Sequence, residues 1–309
     1  MTRNRWNIAI VGPGKVGLAF GKVLRKRGDA ITAVIARSAT SALRGGKYLR
    51  CANTGTQLEL IPGDARVVLL TVPHSSIEPV ARDLARLTHL SFSGMAFCHA
   101  SGMLSAAALA PLADQGATVA SFHPLQTFPR DFPPEKIVPT LPGIWYGVDG
   151  DAKGLRFAKQ LASRLGGKTV VIPTEMREYY HAACVVASNH LTALLGVLEE
   201  MHRALDLSGA TYHELFRPII ETTLRNVTAT SPVRALSGPV ARGGTETIGR
   251  HLETIRQHTP ELLPYYAAMT LATVRLAMAK ESIDEHRAAE FRGLVDAYHS
   301  LHPPSDKPR

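Results

Sequence analysis

Asn7-Ile-Ala-Ile-Val11 runs without interruption into Gly12-Pro-Gly14-Lys-Val-Gly17, and this junction decides how the chain reads. The first five residues are an apolar run too short for a helix and bounded by a turn, which predicts a buried strand. Beyond the glycines, Leu18-Ala-Phe20 and Lys22-Val-Leu-Arg25 return apolar residues at helical spacing, and a second apolar run, Ala30 to Ala36, follows. Strand, glycine turn, helix and strand in that order form the setting in which G-x-G-x-x-G binds a dinucleotide. Gly12 permits the tight turn, Gly14 lets the main chain approach a pyrophosphate, and Gly17 lets the helix pack closely on the strand. Pro13, Lys15 and Val16 complete the expected cofactor turn, and the first N–H groups of the helix would face the anion.

The end of the second strand bears on which dinucleotide fits. An NAD site places Asp or Glu about 20 residues past the turn, against the ribose 2′-hydroxyl. Here that place holds Ala36-Arg37-Ser38. A guanidinium can hold a 2′-phosphate through two parallel hydrogen bonds and Ser38 can add another, whereas a carboxylate would repel it. NADP is therefore the expected cofactor. The competing reading of Arg37 is a solvated cation in an Arg-rich chain.

At 309 residues the chain has room for two domains, each with its own core. A hydrophobic content of 45% and a mean hydropathy near zero fit a soluble globular protein. No window approaches roughly 18 uninterrupted apolar residues, so no membrane span is expected. The basic start, Met1-Thr-Arg-Asn-Arg5, lacks the apolar segment of a signal peptide. Cys51, Cys98 and Cys184 show no C-x-x-C spacing, which suggests neither a disulfide framework nor a zinc site. A cytoplasmic protein is expected. The formal charge of +9 raises nucleic-acid binding. The basic residues are dispersed among acids, however, as in Arg82-Asp83 and Glu285-His-Arg287, and no recognition motif accompanies them. A dispersed positive field better suits a small anionic substrate and the phosphates of NADP, so no nucleic-acid partner is expected.

Further along, apolar runs predict strands at Arg66 to Val72, Gly94 to Cys98, Ala117 to Phe122, Ile144 to Val148 and Thr169 to Ile172. Helical spacing appears over Ile77 to Leu87, Leu104 to Leu112 and Ala152 to Leu165, while Pro129 to Pro142 reads as irregular. Alternating strands and helices imply a mostly parallel sheet. The character changes at Pro173: from Glu175 to Leu301 only helical patterns occur, broken at Leu207-Ser-Gly209, Ser231-Pro232, Ser237-Gly-Pro239 and Thr259-Pro260. The predicted architecture is an α/β Rossmann domain over residues 1–173, an all-α C-terminal domain for substrate binding and dimerisation over 174–302, and a disordered tail over 303–309. Leu191-Thr-Ala-Leu-Leu-Gly-Val-Leu198 is apolar nearly all round, which predicts a homodimer formed through the helical domain.

Ligands of a doubly wound sheet bind beyond the carboxyl ends of its strands. Those ends carry Thr71-Val72-Pro73-His74, His99-Ala-Ser101-Gly102 and His123-Pro-Leu-Gln126. Val72, Pro73 and His74 are expected beside the cofactor; His99, Ser101 and Gly102 beside the substrate; His123 in catalysis. Ser75, Ser76 and Ser101 also suit helix caps and turns. Three histidines raise a metal site, but no carboxylate accompanies them at ligand spacing and hydride transfer needs no metal, so none is expected. In Tyr179-Tyr-His-Ala-Ala-Cys-Val-Val-Ala-Ser-Asn189, the positions His181, Cys184, Ser188 and Thr192 fall three and four apart, with Asn189 beside them. Such a stripe on an apolar helix is costly to bury without partners. It is either a hydrogen-bonded helix contact or the wall of an active cleft.

Gly12-Pro-Gly-Lys-Val-Gly17, His99-Ala-Ser-Gly102, Ser121-Phe-His-Pro-Leu-Gln-Thr-Phe128, Tyr180-His-Ala-Ala183 with Ala187-Ser-Asn189, and Ser237-Gly-Pro-Val-Ala-Arg-Gly243 give the chain a family likeness. Together they resemble the bacterial Rossmann-like family that carries the C-terminal domain of unknown function 2520. The resemblance runs from about Trp6 to Leu301. It points to the 6-phosphogluconate dehydrogenase-like superfamily, beside deazaflavin-dependent NADP reductases, pyrroline-5-carboxylate reductases and ketopantoate reductases. It implies an NADP-dependent oxidoreductase that reduces a small carbonyl substrate, with a 2-oxo acid such as ketopantoate expected. An imine reductase and a noncatalytic NADP-binding sensor or scaffold are the alternatives. The resemblance also makes Ser101-Gly102 the counterpart of the substrate-binding glycine turn of β-hydroxyacid dehydrogenases. Those enzymes place a Lys four residues before the Asn of their interdomain helix, where this chain has Val185. His181 and Asn189 are the expected catalytic substitutes, with Ser188 binding substrate beside them and Arg242 gripping a carboxylate. An imidazole, with a reference pKa of about 6.5, can act as a general acid at neutral pH without the tuning a lysine needs.

Overall fold

The computed structural model describes residues 5–301, so the tail expected over 303–309 lies outside the described residues. The glycine motif folds as its spacing predicts, with β1 (Asn7–Val11), α1 (Lys15–Lys26) and β2 (Ala30–Ile35) in succession. There follow α2 (Ala39–Leu49), the two-residue β3 (Thr54–Gly55), β4 (Val67–Leu70), α3 (Ile77–Leu84) and β5 (Ala96–His99). Next come α4 (Ala110–Ala113), β6 (Thr118–Pro124), α5 (Pro134–Ile137), β7 (Trp145–Asp149), α6 (Ala152–Leu165) and β8 (Lys168–Val171). The sheet order is β3-β2-β1-β4-β5-β6-β7-β8, and its first six strands take the Rossmann order 3-2-1-4-5-6.

Every pairing is parallel except β6 with β7. The reversal has a cause in the sequence. Between these strands the proline-rich run supplies only the single-turn α5 and a short 3-10 turn, with no crossover helix to carry the chain back to its starting end. The helix expected over Leu104 to Leu112 is likewise cut short. A 3-10 turn (Ala106–Leu109) gives way to α4, with Pro111 in its first turn, where the missing N–H costs least.

Side chains alternate across the sheet. Ile8, Ile10, Val67 and Leu69 pack with Phe20 and Leu24 of α1 and with Phe157 and Leu161 of α6. Ala9, Val11, Val68 and Leu70 pack on the other face with Ile77 and Leu84 of α3 and with Leu109. Each large side chain so buried contributes roughly 1.5–3 kcal/mol. With both faces covered, the parallel strands read as continuous apolar runs.

The chain's contacts divide it between Asn189 and His190. The first unit therefore includes α7 (Arg177–Val185), whereas the change in composition at Pro173 marks where strands stop rather than where packing does. A π turn (Val186–His190) leads from α7 into α8 (Leu191–Ala204). Its extra residue disturbs the ladder of three and four: His181, Cys184 and Ser188 are half-buried, but Thr192 is exposed.

The second unit continues with α9 (Tyr212–Ala229), α10 (Pro232–Ala235), α11 (Thr245–His258), α12 (Leu263–Ala279) and α13 (Glu285–Leu301). Thr211 and Glu214 form a capping box that starts α9. Ile248, Leu252 and Ile255 of α11 meet Leu263, Ala267 and Val274 of α12 and Phe291 and Val295 of α13 in one core. By contrast, α8 and α9 have no buried residue. Thr174–Ala204 and Pro260–Ala279 are long and apolar enough, by composition, to cross a membrane. No uninterrupted run announced them, because His181, Ser188 and other polar residues break the first, and the second supplies core side chains.

Candidate functional site

The glycine turn is shaped by what its neighbours exclude. Gly12 has φ +93°, which only glycine adopts at little cost, and its carbonyl accepts a 2.6 Å hydrogen bond from Thr71 Oγ1. A Cβ on Gly17 would collide with Thr71 Oγ1 and lie 2.7 Å from the Gly12 carbonyl oxygen. Gly14 differs: a Cβ there would meet nothing within 4 Å, because its Cα faces open space. Gly14 also caps α1, whose first turn carries no acidic residue and whose N-cap makes no side-chain hydrogen bond. The turn thus leaves free N–H groups beside an opening, which fits the pyrophosphate of a dinucleotide. Pro13 is buried, and the same turn's packing sets it against α2, where a Cβ on Gly45 would lie 2.7 Å from its own Cβ. Pro13 therefore shapes the turn from behind. Lys15 Nζ donates to the Phe132 carbonyl at 2.5 Å, tying the turn to the proline-rich connection.

A cleft of about 370 Å³ opens beside this turn, at the carboxyl ends of β4, β5 and β6. Val16, Val72 and His74 line one part of it, and Ser101, Gly102, His123 and His181 another. Gly102 is the pivot. A Cβ there would stand 2.7 Å from His181 Cδ2 and 3.0 Å from His123 Nε2, so two imidazoles converge on a backbone that only glycine leaves bare. The two rings lie 6.2 Å apart. Burial, reinforced by His181, Arg177 and His99, pushes the His123 pKa down to about 4. A larger concavity of about 670 Å³ adjoins Trp6, before β1, with Arg27, Arg156, Lys159 and Arg164 around it. Its Arg164 is engaged by Asp29 at 2.6 Å and by the Trp6 ring, and no imidazole or glycine turn faces it.

Tyr180, given no role in the sequence reading, and Arg177 and Asp149, absent from it, hold this cleft together. Tyr180 Oη lies 2.8 Å from His123 Nδ1. Arg177, 1% exposed, donates from Nη2 to the Ser101 carbonyl at 3.2 Å and from Nη1 to Asp149 Oδ2 at 3.4 Å. Asp149 in turn accepts from the Ala106 N–H at 3.0 Å. The buried pair thereby anchors α7, the end of β7 and the Ser101–Gly102 turn to one another. Arg177, Tyr180, His181 and Cys184 follow the i, i+3, i+4, i+7 spacing of one helix face. Extending the stripe one turn toward the N-terminus was the signal that would have found Arg177, whereas nothing in the local sequence marks Asp149.

Other expectations fare differently. His99 is not at the cleft surface: it is the last residue of β5 and 1% exposed. Its Nε2 meets the Ser105 carbonyl at 2.9 Å and its Nδ1 accepts from the Ser101 N–H at 3.2 Å, which leaves no ring nitrogen for a substrate. His99 shapes the turn that Ser101 and Gly102 present, and burial pushes its pKa down to about 4. His123 is part of β6 rather than of a loop after it. Ser188 Oγ donates to the Cys184 carbonyl at 2.8 Å and to Asn189 Oδ1 at 3.0 Å, and neither Ser188 nor the exposed Asn189 lines the cleft. Arg242 is exposed on a 3-10 turn (Val240–Arg242) of the second unit and is not among the cleft residues. Pro73 is exposed ahead of the short turn that holds His74. Arg37 is exposed just past β2, while Ser38 caps α2, its Oγ accepting from the Ser41 N–H at 3.3 Å. Among the described residues no group of three His, Cys, Asp or Glu side chains is placed to hold a metal ion.

Comparison with known proteins extends this picture. A profile for a Rossmann-like domain matches residues 1–124, and the profile of domain of unknown function DUF2520 matches residues 144–273. No curated protein matches the sequence. Among solved structures, a Thermotoga maritima protein shares 24% identity at a TM-score of 0.67, over 89% of this chain and 99% of that one. A Bacteroides fragilis protein provisionally described as an NADP oxidoreductase shares 19% identity at a TM-score of 0.70, over 88% and 98% of the two chains. A pyrroline-5-carboxylate reductase from Coxiella burnetii shares 18% identity at a TM-score of 0.55, over 91% and 100%. At these identities the likeness concerns the fold. The two profiles fall on successive stretches of the chain, which carries a Rossmann-like domain followed by a C-terminal DUF2520 domain.

Proposed function

We propose that this chain is an NADP-dependent oxidoreductase that reduces a small carbonyl compound, with 2-oxo acids as the first class to test. One observation carries the reading: a cleft that adjoins the glycine turn is also lined by His123 and His181, both set against Gly102. A nucleotide sensor needs the turn but has no use for paired imidazoles beside it. The names of the fold's neighbours, which include an NADP oxidoreductase and a pyrroline-5-carboxylate reductase, agree with this class of chemistry.

Gly12, Gly14, Gly17 and the start of α1 would hold the pyrophosphate, with Val16, Val72 and His74 along the approach to the cleft. When bound, the reduced dinucleotide supplies a hydride, which carries two electrons to a carbonyl carbon. His181 is the group assigned to protonate the oxygen that takes up the C=O π electrons, giving an alcohol. His123 stays neutral and hydrogen-bonds, because burial opposes its charge. The Ser101–Gly102 turn supplies the floor against which the substrate rests. Assaying NADPH oxidation across 2-oxo acids, ketopantoate among them, tests the proposal. Binding of NADPH with no turnover of any carbonyl would favour a sensor instead.

Arg37 is proposed to select NADP. Arg37→Asp should weaken NADP by about 1.5–3 kcal/mol, the range for a hydrogen bond to a charged group, and should change NAD affinity far less. Titrating both dinucleotides into both proteins decides this, since equal losses would remove Arg37 from the 2′-phosphate. A homodimer is proposed as well. Leu215, Ile219 and Leu224 of α9 and Leu194 of α8 are exposed, more apolar surface than a solitary helical unit usually leaves in water. Sedimentation velocity should show a dimer, and a monomer at every concentration would contradict it.

A further inference from the structure

We propose that Tyr180 fixes His123 as the neutral tautomer with its proton on Nε2, so that the cleft selects substrates offering an accepting oxygen, a ketone or aldehyde, over iminium ions. The substrate half of this inference rests on the reductase reading above; the tautomer half does not.

The geometry begins on β7. Gly147 stands opposite His123 in the antiparallel pairing, and a Cβ on it would collide with Tyr180 Oη. Glycine at this position therefore opens the way for the phenol to reach the imidazole, which it meets edge-on at 89° with ring centres 5.6 Å apart. The hydroxyl has one proton and two neighbours, His123 Nδ1 at 2.8 Å and the hydrogen-bonded Cys184 thiol. An imidazole nitrogen is a strong acceptor and a thiol sulfur a weak one. The proton accordingly points to Nδ1 rather than to the sulfur. Burial raises the Tyr180 pKa, so the phenol keeps that proton.

With Nδ1 accepting, the ring's own proton sits on Nε2, the atom that faces Gly102 and the cleft. The groups around His123 oppose a second proton: His181 and Arg177 from α7 and His99 from β5, in addition to burial. Arg177 is itself paired with Asp149 at 3.4 Å. The cleft thus presents a neutral N–H. A carbonyl oxygen accepts from it directly. An iminium brings its own N–H and would leave two donors facing each other, both without an acceptor. Sites that must hydrogen-bond their substrate reject partners lacking the complementary group strongly.

The test has two arms. In the full chain without cofactor, long-range ¹H–¹⁵N correlation of ¹⁵N-histidine-labelled protein reads each ring's tautomer. His123, assigned by its shift in Tyr180→Phe, should show Nε2–H at pH 7 and remain neutral to about pH 5, whereas Tyr180→Phe should give a mixture of tautomers. An Nδ1–H ring or an imidazolium at pH 7 in the wild type would overturn the assignment. In the second arm, NADPH-dependent kcat/KM should favour 2-oxo acids over cyclic imines, assayed at a pH where the imine is protonated to its iminium, by on the order of a hundredfold, and Tyr180→Phe should narrow that ratio with its larger loss on the carbonyl side. Faster imine reduction by the wild type would overturn the substrate class. No turnover of either class would overturn the reductase reading, with the tautomer still decided by the spectrum.

Discussion

His181→Ala should lower turnover of a carbonyl substrate by roughly a hundredfold or more, the effect of losing one general acid, and should change dinucleotide affinity little. His181 qualifies by position. It lines the cleft, its Cδ2 approaches the bare face of Gly102, and α7 is held there by Arg177 through Asp149 and the Ser101 carbonyl. The other two imidazoles are less suited to release a proton near pH 7. His99 is enclosed with both nitrogens engaged, and His123 is held neutral to about 4. His123→Ala should therefore act more on substrate affinity than on turnover. Steady-state kinetics of the two variants separates the roles. Full turnover in His181→Ala together with none in His123→Ala would transfer the acid to β6.

Stability should fall steeply as pH drops from about 6.5 to about 4. In the folded chain His99 and His123 stay neutral to about 4, whereas in the unfolded chain they take up protons near 6.5. Between these values the unfolded state binds more protons, so the stabilisation is complete above about 6.5 and is lost as pH falls toward 4. A depression of this size corresponds to about 3 kcal/mol for His99, and to less for His123, whose ring edges the cleft. Protonating His99 at Nδ1 also sets a donor against the Ser101 N–H, so the turn beneath the substrate should loosen in the same interval. Urea unfolding at pH 7.0 and 4.5 measures the difference. His99→Gln should be less stable at pH 7 and lose less on acidification, and an unchanged slope would show that His99 is not the group responsible.

The parts legible in the sequence were those set by local pattern. The glycine turn between two apolar runs specified β1, α1 and β2, and the spacing over Ala152 to Leu165 gave α6 with its ends correct. Residues singled out at strand ends come together, since Val72, His74, Ser101, Gly102 and His123 surround one cleft. What stayed hidden depends on long-range partners. Arg177 and Asp149 went unmarked because nothing local says that each buries the other. His99 reads like His123, at the end of a neighbouring strand, and only the curl of the chain to Ser105 turns it inward. The reversal of β7 follows from the absence of a crossover helix, and the π turn at Val186–His190 moved Thr192 away from a stripe counted at ideal helical spacing.

A dinucleotide lying on the glycine turn would bring its reactive end to the cleft of His123 and His181. Gly14→Val tests this placement most directly. Gly14 has φ −77° and ψ −169°, extended backbone that valine adopts readily, and its Cβ would enter space no protein atom occupies. The variant should therefore fold and melt as the wild type does, while filling the place assigned to the pyrophosphate. Titration calorimetry with NADPH should show binding to the wild type and none to Gly14→Val. Equal affinity in the two proteins, or no binding to the wild type, would contradict the account.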